Sequence, residues 1–163
     1  MSFKEILEDW VKFKEWEDEV QVDEDGDSTL AFAVDIDGQS FKVFFEGDEK
    51  RNWLKLFVYA PFNTRADKFQ EMLKLVNHIH GRTYYGRITI DSDDGTIQYK
   101  QIVSVADVEV STSFVESMFA TGVAIYSDWL DDLAAVALTK KTFDQLNQEW
   151  NAESDSSETP EKL

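Results

Sequence analysis

Residues Leu75 to Val103 read LVNHIHGRTYYGRITIDSDDGTIQYKQIV, and two periodicities meet within that stretch. Up to Gly81 the apolar positions Phe69, Met72, Leu73, Val76 and Ile79 recur at helical spacing, and the glycine is placed to stop a helix. The pattern predicts a helix over 65–80, with Thr64 as its cap and Asp67 at the third position. Beyond Gly81 the period becomes two: Thr83 to Ile90 and Thr96 to Val103 alternate apolar with polar residues, as half-buried strands do. Asp94-Gly95 lies between them and supplies the positive φ that a tight hairpin turn needs.

Working outward, the same logic places a three-stranded meander upstream. Leu30, Phe32, Val34 and Ile36 alternate with smaller or polar residues, Asp37-Gly38 turns the chain, and Phe41, Val43 and Phe45 continue the alternation. After Gly47-Asp48-Glu49 a third strand is expected from Trp53 to Ala60, ended by Pro61. That strand is apolar on both sides, with Leu54, Leu56 and Val58 facing one way and Trp53, Phe57 and Tyr59 the other. It is therefore either central and covered, or presents an aromatic face outward. At the N-terminus, Phe3, Ile6, Leu7, Trp10, Phe13 and Trp16 form one helical stripe, with Ser2 and Glu5 spaced as a capping box. Downstream, a long helix is expected after Val110, capped by Ser113 with Glu116 and striped by Phe114, Met118, Ile125, Trp129, Leu133 and Val136. A short extra helix is expected over 142–150, so that 1–150 form a single α+β domain and 151–163 an acidic, disordered tail. In all, the expected fold is an N-terminal helix and an antiparallel sheet of about five strands packed against a long C-terminal helix.

Charge and composition exclude several classes of function. The 163 residues carry 33 Asp+Glu against 16 Lys+Arg, a formal charge of -17. Such a surface repels phosphate backbones and anionic lipid, so neither nucleic acid nor membrane is expected as a partner, and neutral or basic protein surfaces are favoured. With 42% hydrophobic and 13% aromatic residues the acid belongs to a chain that folds. Cysteine is absent, which removes disulfides, thiolate nucleophiles and cysteine-held metals and suits a cytoplasmic protein.

No constellation of catalytic residues is legible, and no enzyme is expected. His78 and His80 stand two apart on a helix and diverge by about 200°, so they cannot clamp one metal. Between Glu15 and Asp27 eight carboxylates occur without a basic residue, including DEDGDS. Aligned as an EF-hand, however, that loop puts Gln21 at the first ligand position and Phe32 where a bidentate Glu is required. DSDDG at Asp91 to Gly95 lacks the alternating ligand spacing too. No metal and no cofactor are expected.

The order of elements, together with the stretch from Phe69 to Val103, resembles the YbjN family of bacterial sensory-transduction regulators and the type III secretion chaperones that share its α+β fold. On that match Asn77 ends the helix and Asp94-Gly95 forms the hairpin turn. The resemblance implies a homodimer that binds segments of other proteins without catalysis, as a regulator or as a client-binding chaperone. Candidate contact residues are Trp53, Phe57, Tyr59 and Phe44, with Trp10 and Trp16 of the first helix, each having core packing as the alternative. A second class of function stays open, a small-molecule or cation-binding domain using a cavity between sheet and helix.

Overall fold

The computed structural model describes residues 1–157; residues 158–163, the end of the expected tail, lie outside the described residues. In chain order α1 (Phe3–Phe13) precedes β1 (Gln21–Val22), β2 (Ser28–Ile36), β3 (Gln39–Asp48) and β4 (Trp53–Asn63). A 3₁₀ turn (Ala66–Lys68) then leads into α2 (Phe69–His80), followed by β5 (Arg87–Ile90), β6 (Thr96–Ser104), α3 (Thr112–Leu138) and α4 (Phe143–Ser157). All strands pair antiparallel in one open sheet of order β1-β2-β3-β4-β6-β5. The meander and the hairpin are thus joined through β4 and β6. The sixth strand, beyond the five expected, is the two-residue β1 inside the acidic run.

Alternation along the strands divides the sheet into an inner and an outer face. Phe41, Val43 and Phe45 of β3, Leu54, Leu56 and Val58 of β4, and Ile97 and Tyr99 of β6 are fully buried on the inner side. Helix α3 lies against them closely enough that a Cβ on Gly122 would come within 3.1 Å of the Tyr99 ring and 3.4 Å of Leu56. The Tyr126 hydroxyl, on the same helix, donates to the Val58 carbonyl at 2.9 Å. Helix α1 covers the other half, where Phe3 packs in the space left by Gly47. Its start is the expected box: Ser2 Oγ accepts from the Glu5 amide and Glu5 Oε2 accepts from the Ser2 amide.

Several boundaries differ from the sequence expectation. Helix α1 stops at Phe13, which is 62% exposed, because Glu15 takes a positive φ of 57° and turns the chain. Strand β4 runs through Pro61 to Asn63; its register with β6 breaks between Tyr59 and Asn63, so no ladder hydrogen bond is demanded of the proline. Thr64 does not cap α2; it is buried, its amide bonds the Gly95 carbonyl at 2.8 Å, and the 3₁₀ turn intervenes. The cap of α3 is Ser111, whose hydroxyl accepts from the Phe114 amide, which frees Glu116 for a distant partner. Residues 151–157 of the expected disordered tail continue α4. Thr142 and Gln145 form a reciprocal cap, and Ala152 and Glu153 are good helix formers.

Candidate functional site

Among the described residues no helix covers the side of the sheet away from α1 and α3, and β4 lays most of its aromatic side chains there. Because Leu54, Leu56 and Val58 point inward, Trp53, Lys55, Phe57 and Tyr59 must point outward. The register then builds rows across this face. Phe44 stands opposite Phe57, and Phe57 opposite Lys100, which stands opposite Arg87. One row along, Lys42, Tyr59 and Gln98 align; on the other side Glu46, Lys55 and Ile102 do. Phe44 and Tyr59 meet edge to face with centroids 5.7 Å apart, and the Gln98 amide donates to the Tyr59 hydroxyl at 2.6 Å. Lys100 Nζ sits 5.9 Å over the Phe57 ring, a cation–π distance. A shallow hollow of about 810 Å³ opens over Phe44, Phe57 and Tyr59 and reaches Pro61 and Asn63. Trp53 lies at the far end, 38% exposed beneath Arg51, where Asp48 is held by Arg51 at 3.0 Å and Lys55 at 3.5 Å. The Arg51 amide donates to Asp48, and with those two cations it keeps that carboxyl below its ordinary range.

Four of the six candidate contact residues therefore share one surface, and Trp10 and Trp16 do not. Trp10 is 0% exposed, its ring set among Trp16, Phe32, Phe45 and Phe119 at centroid distances of 5.2 to 5.8 Å. Its indole N–H donates to Glu116 Oε2 at 2.7 Å. Trp16 is half-buried in the same cluster. For this pair the core alternative holds, because the turn at Glu15 folds Trp16 back over α1 instead of outward.

The residues matched to the family motif shape the backbone. The Asn77 side chain is exposed and its carbonyl accepts the Gly81 amide at 3.1 Å, closing α2. Asp94 Oδ1 accepts from the Thr96 amide at 2.8 Å, and hydrogen bonding to the Thr96 side chain, then to that amide, lowers its pKa. Gly95 has φ +76°, and a Cβ there would overlap the Thr64 carbonyl.

Two further features escaped the sequence reading. A hollow of about 340 Å³ lies between the inner side of β6 and the start of α3, lined by Tyr85, Gln101, Val103, Phe114 and Met118. It exists because β5 is too short to flank the far half of β6. The other is an aromatic clasp that holds α4. His78 of α2 stacks on Trp150 at 4.7 Å and 21°, with Trp129 and Phe143 around it. The Phe143 amide donates to Glu71 at 2.7 Å, the main reason that carboxyl's pKa is lowered. The His78–Trp150 pairing, 72 positions apart, leaves no periodic trace in the sequence. Among the described residues no group of three or more His, Asp or Glu is placed to hold a metal ion, and no helix is long and apolar enough to cross a membrane.

Sequence comparison matches residues 4–135 to the YbjN family, described as "putative bacterial sensory transduction regulator". This chain belongs to the YbjN family. The match ends before α4 begins, so that helix is an addition to the part the family describes. No curated protein matches the sequence. Among solved structures, a chain of the ExsC–ExsE complex superposes with a TM-score of 0.57 at 16% identity, over 82% of this chain and 97% of its own length. A chain of the HopA1–SchA chaperone–effector complex does so with a TM-score of 0.53 at 18% identity, over 77% and 90%. YbjN from E. coli gives 0.52 at 9% identity, over 77% and 89%. The fold is accordingly the type III secretion chaperone-like α+β fold.

Proposed function

We propose that this YbjN-family protein is a noncatalytic protein-interaction module of the cytoplasm, a regulator or client-binding chaperone that seats an apolar segment of another protein on the open face of its sheet and works as a homodimer. The observation that carries the reading is the platform of Phe44, Phe57 and Tyr59, large aromatic rings on a sheet face that no helix covers among the described residues. Rigid strands hold the rings in place, which lowers the ordering cost of binding. The likeness in fold to a chain from a chaperone–effector complex supports the same class of role.

Co-purification with mass spectrometry tests it. A protein retained in stoichiometric amount by the wild type and lost on Phe57→Thr is expected; a partner retained equally by both proteins overturns the assignment to this face. Sedimentation at tens of micromolar tests the homodimer, which a clean monomer would refute. The 340 Å³ hollow between β6 and α3 carries a second reading, a small-molecule site, since it falls in the size range of ligand pockets. A bound metabolite found without any protein partner would favour it.

A further inference from the structure

The open face differs in charge from the rest of the chain. Acids outnumber cations 33 to 16 overall. On the outward positions of β2 to β6, however, Lys42, Lys55, Lys100 and Arg87 face only Asp35, Glu46 and Asp48. Asp48 is already committed to Arg51 and Lys55. Lys42, Lys100 and Arg87 form no ion pair among the described residues. Lys100 and Arg87 moreover stand directly opposite each other on β6 and β5, an arrangement that costs stability. The nearby Asp91 and Asp94 form no ion pair with either cation; their carboxylates accept amides of their own turn. The row Phe44–Phe57–Lys100–Arg87 is thus apolar at one end and carries two cations without an ion pair at the other.

We propose that the open face takes an acidic, extended peptide segment of a partner protein, with the pattern apolar-x-apolar-x-Asp/Glu. It lies across the strands with its apolar side chains on Phe44 and Phe57 and its carboxylate between Lys100 and Arg87. This rests on the reading of the platform given above and adds the chemistry of its occupant. The dimensions agree. From β3 to β5 is three strand spacings, about 14 Å, and four steps of extended chain advance nearly the same distance while returning side chains to one face at every second residue. The polarity follows from the balance at each end: on β3, Lys42 and Glu46 flank Phe44 and offset each other, whereas Lys100 and Arg87 put two cations at the β6–β5 end of the row. Aromatic rings beside lysines can also stack bases, but single-stranded RNA brings a phosphate at every nucleotide into the field of a chain at -17, whereas a peptide brings one carboxylate to two cations. The homodimer proposed above then uses another surface, which the test below checks.

The test is selection of a random heptapeptide display library on the full-length protein, followed by affinity measurement with synthetic versions of the selected peptides. Selected peptides are expected to carry Asp or Glu two residues after the second apolar position, and changing that acid to Lys is expected to weaken binding by about tenfold or more. In the double variant Lys100→Glu, Arg87→Glu, whose side chains stand on the outer face and leave the inner core untouched, the preference is expected to invert. Neutral or basic residues at that position, or a preference unchanged by the double variant, overturn the inference and leave the platform standing. Failure to select any peptide, or selection that Phe57→Thr does not diminish, overturns the platform as well. Two competing occupants are tested directly: binding of a labelled oligouridylate lost on Phe57→Thr, or a homodimer that this substitution dissociates, would give the face to RNA or to a second copy and refute the proposal.

Discussion

Exchanging one aromatic residue on each side of the sheet separates the core from the binding face. Trp10→Phe keeps a ring inside the α1 cluster but removes the pyrrole half of the indole and the N–H that donates to Glu116 at 2.7 Å. Losing a hydrogen bond to a charged acceptor costs roughly 1.5–3 kcal/mol, and the space left in a fully buried site adds about 1 kcal/mol. The expected loss is therefore about 3 kcal/mol, a fall in Tm of about 6–12 °C for a chain of this length. Phe57→Thr acts on the other face. It retains strand propensity, leaves the inner residues Leu56 and Val58 in place, and removes a cross-strand neighbour of Phe44 and the ring beneath Lys100, together worth roughly 1 kcal/mol. A fall in Tm of at most about 4 °C is expected, together with loss of the protein partner. Thermal unfolding followed by circular dichroism, run beside partner capture, reads both. If Phe57→Thr lowers Tm as much as Trp10→Phe, Phe57 belongs to the core and the assignment of an open face is wrong.

Gly95→Ala strains a position at φ +76° and drives a methyl group into the Thr64 carbonyl, so a loss of about 2 kcal/mol or more is expected, read as a lower denaturant midpoint. Both histidines are held below their ordinary pKa of 6.5 chiefly by burial, with Arg82 beside His78 and Arg87 near His80 adding repulsion. Their neutral forms are thus favoured by folding, so the stability they contribute is complete above pH 6.5 and is lost as pH falls through the lower folded values. NMR titration should place both below 6.5, and a histidine titrating above it refutes this. Truncation after Lys141 removes Phe143, Leu146 and Trp150 from the clasp, which should cost on the order of 3 kcal/mol and raise the His78 pKa toward 6.5 as its burial is released. An unchanged His78 titration would show that α4 does not pack there.

Where one periodic signal dominated, the sequence was legible. The alternation of Leu54, Leu56 and Val58 with Trp53, Phe57 and Tyr59 assigned the two faces of β4 correctly, because period two is a property of the strand itself. Whether the outer face was covered could not be read from the same residues, since that depends on where α1, α2 and α3 dock. Trp10 illustrates the converse: a tryptophan on an amphipathic stripe reads equally as core or contact until Phe45 and Phe119, distant in sequence, are seen to enclose it. Boundaries failed where a nonlocal partner overrode a local signal. Thr64 was drawn to Gly95 instead of capping α2, and Glu116 was taken by Trp10 and Lys14 instead of closing a capping box. The α4 clasp was illegible for the same reason, joining residues of α2, α3 and α4.

Net charge and local charge act over different distances, and here they have opposite signs. Fields from exposed charges are screened beyond about 8 Å at physiological ionic strength, so what an arriving segment meets on contact is set by its immediate neighbours. The acids of the run from Glu15 to Asp27 and of the turn Asp91 to Gly95 lie in loops beyond the strand ends. Lys42 and Lys100 occupy the middle of the sheet beside Tyr59 and Phe57. Overall acidity therefore disfavours polyanionic partners while leaving the aromatic face itself receptive to a carboxylate. Composition reports the first property and favours basic partners. The cross-strand register reports the second, because only pairing across β3, β4, β6 and β5 shows that cations far apart in sequence share one row with Phe44 and Phe57. A surface of this kind is selective in two ways: the overall negative charge disfavours polyanions, and contact rewards a single acid placed beside apolar side chains.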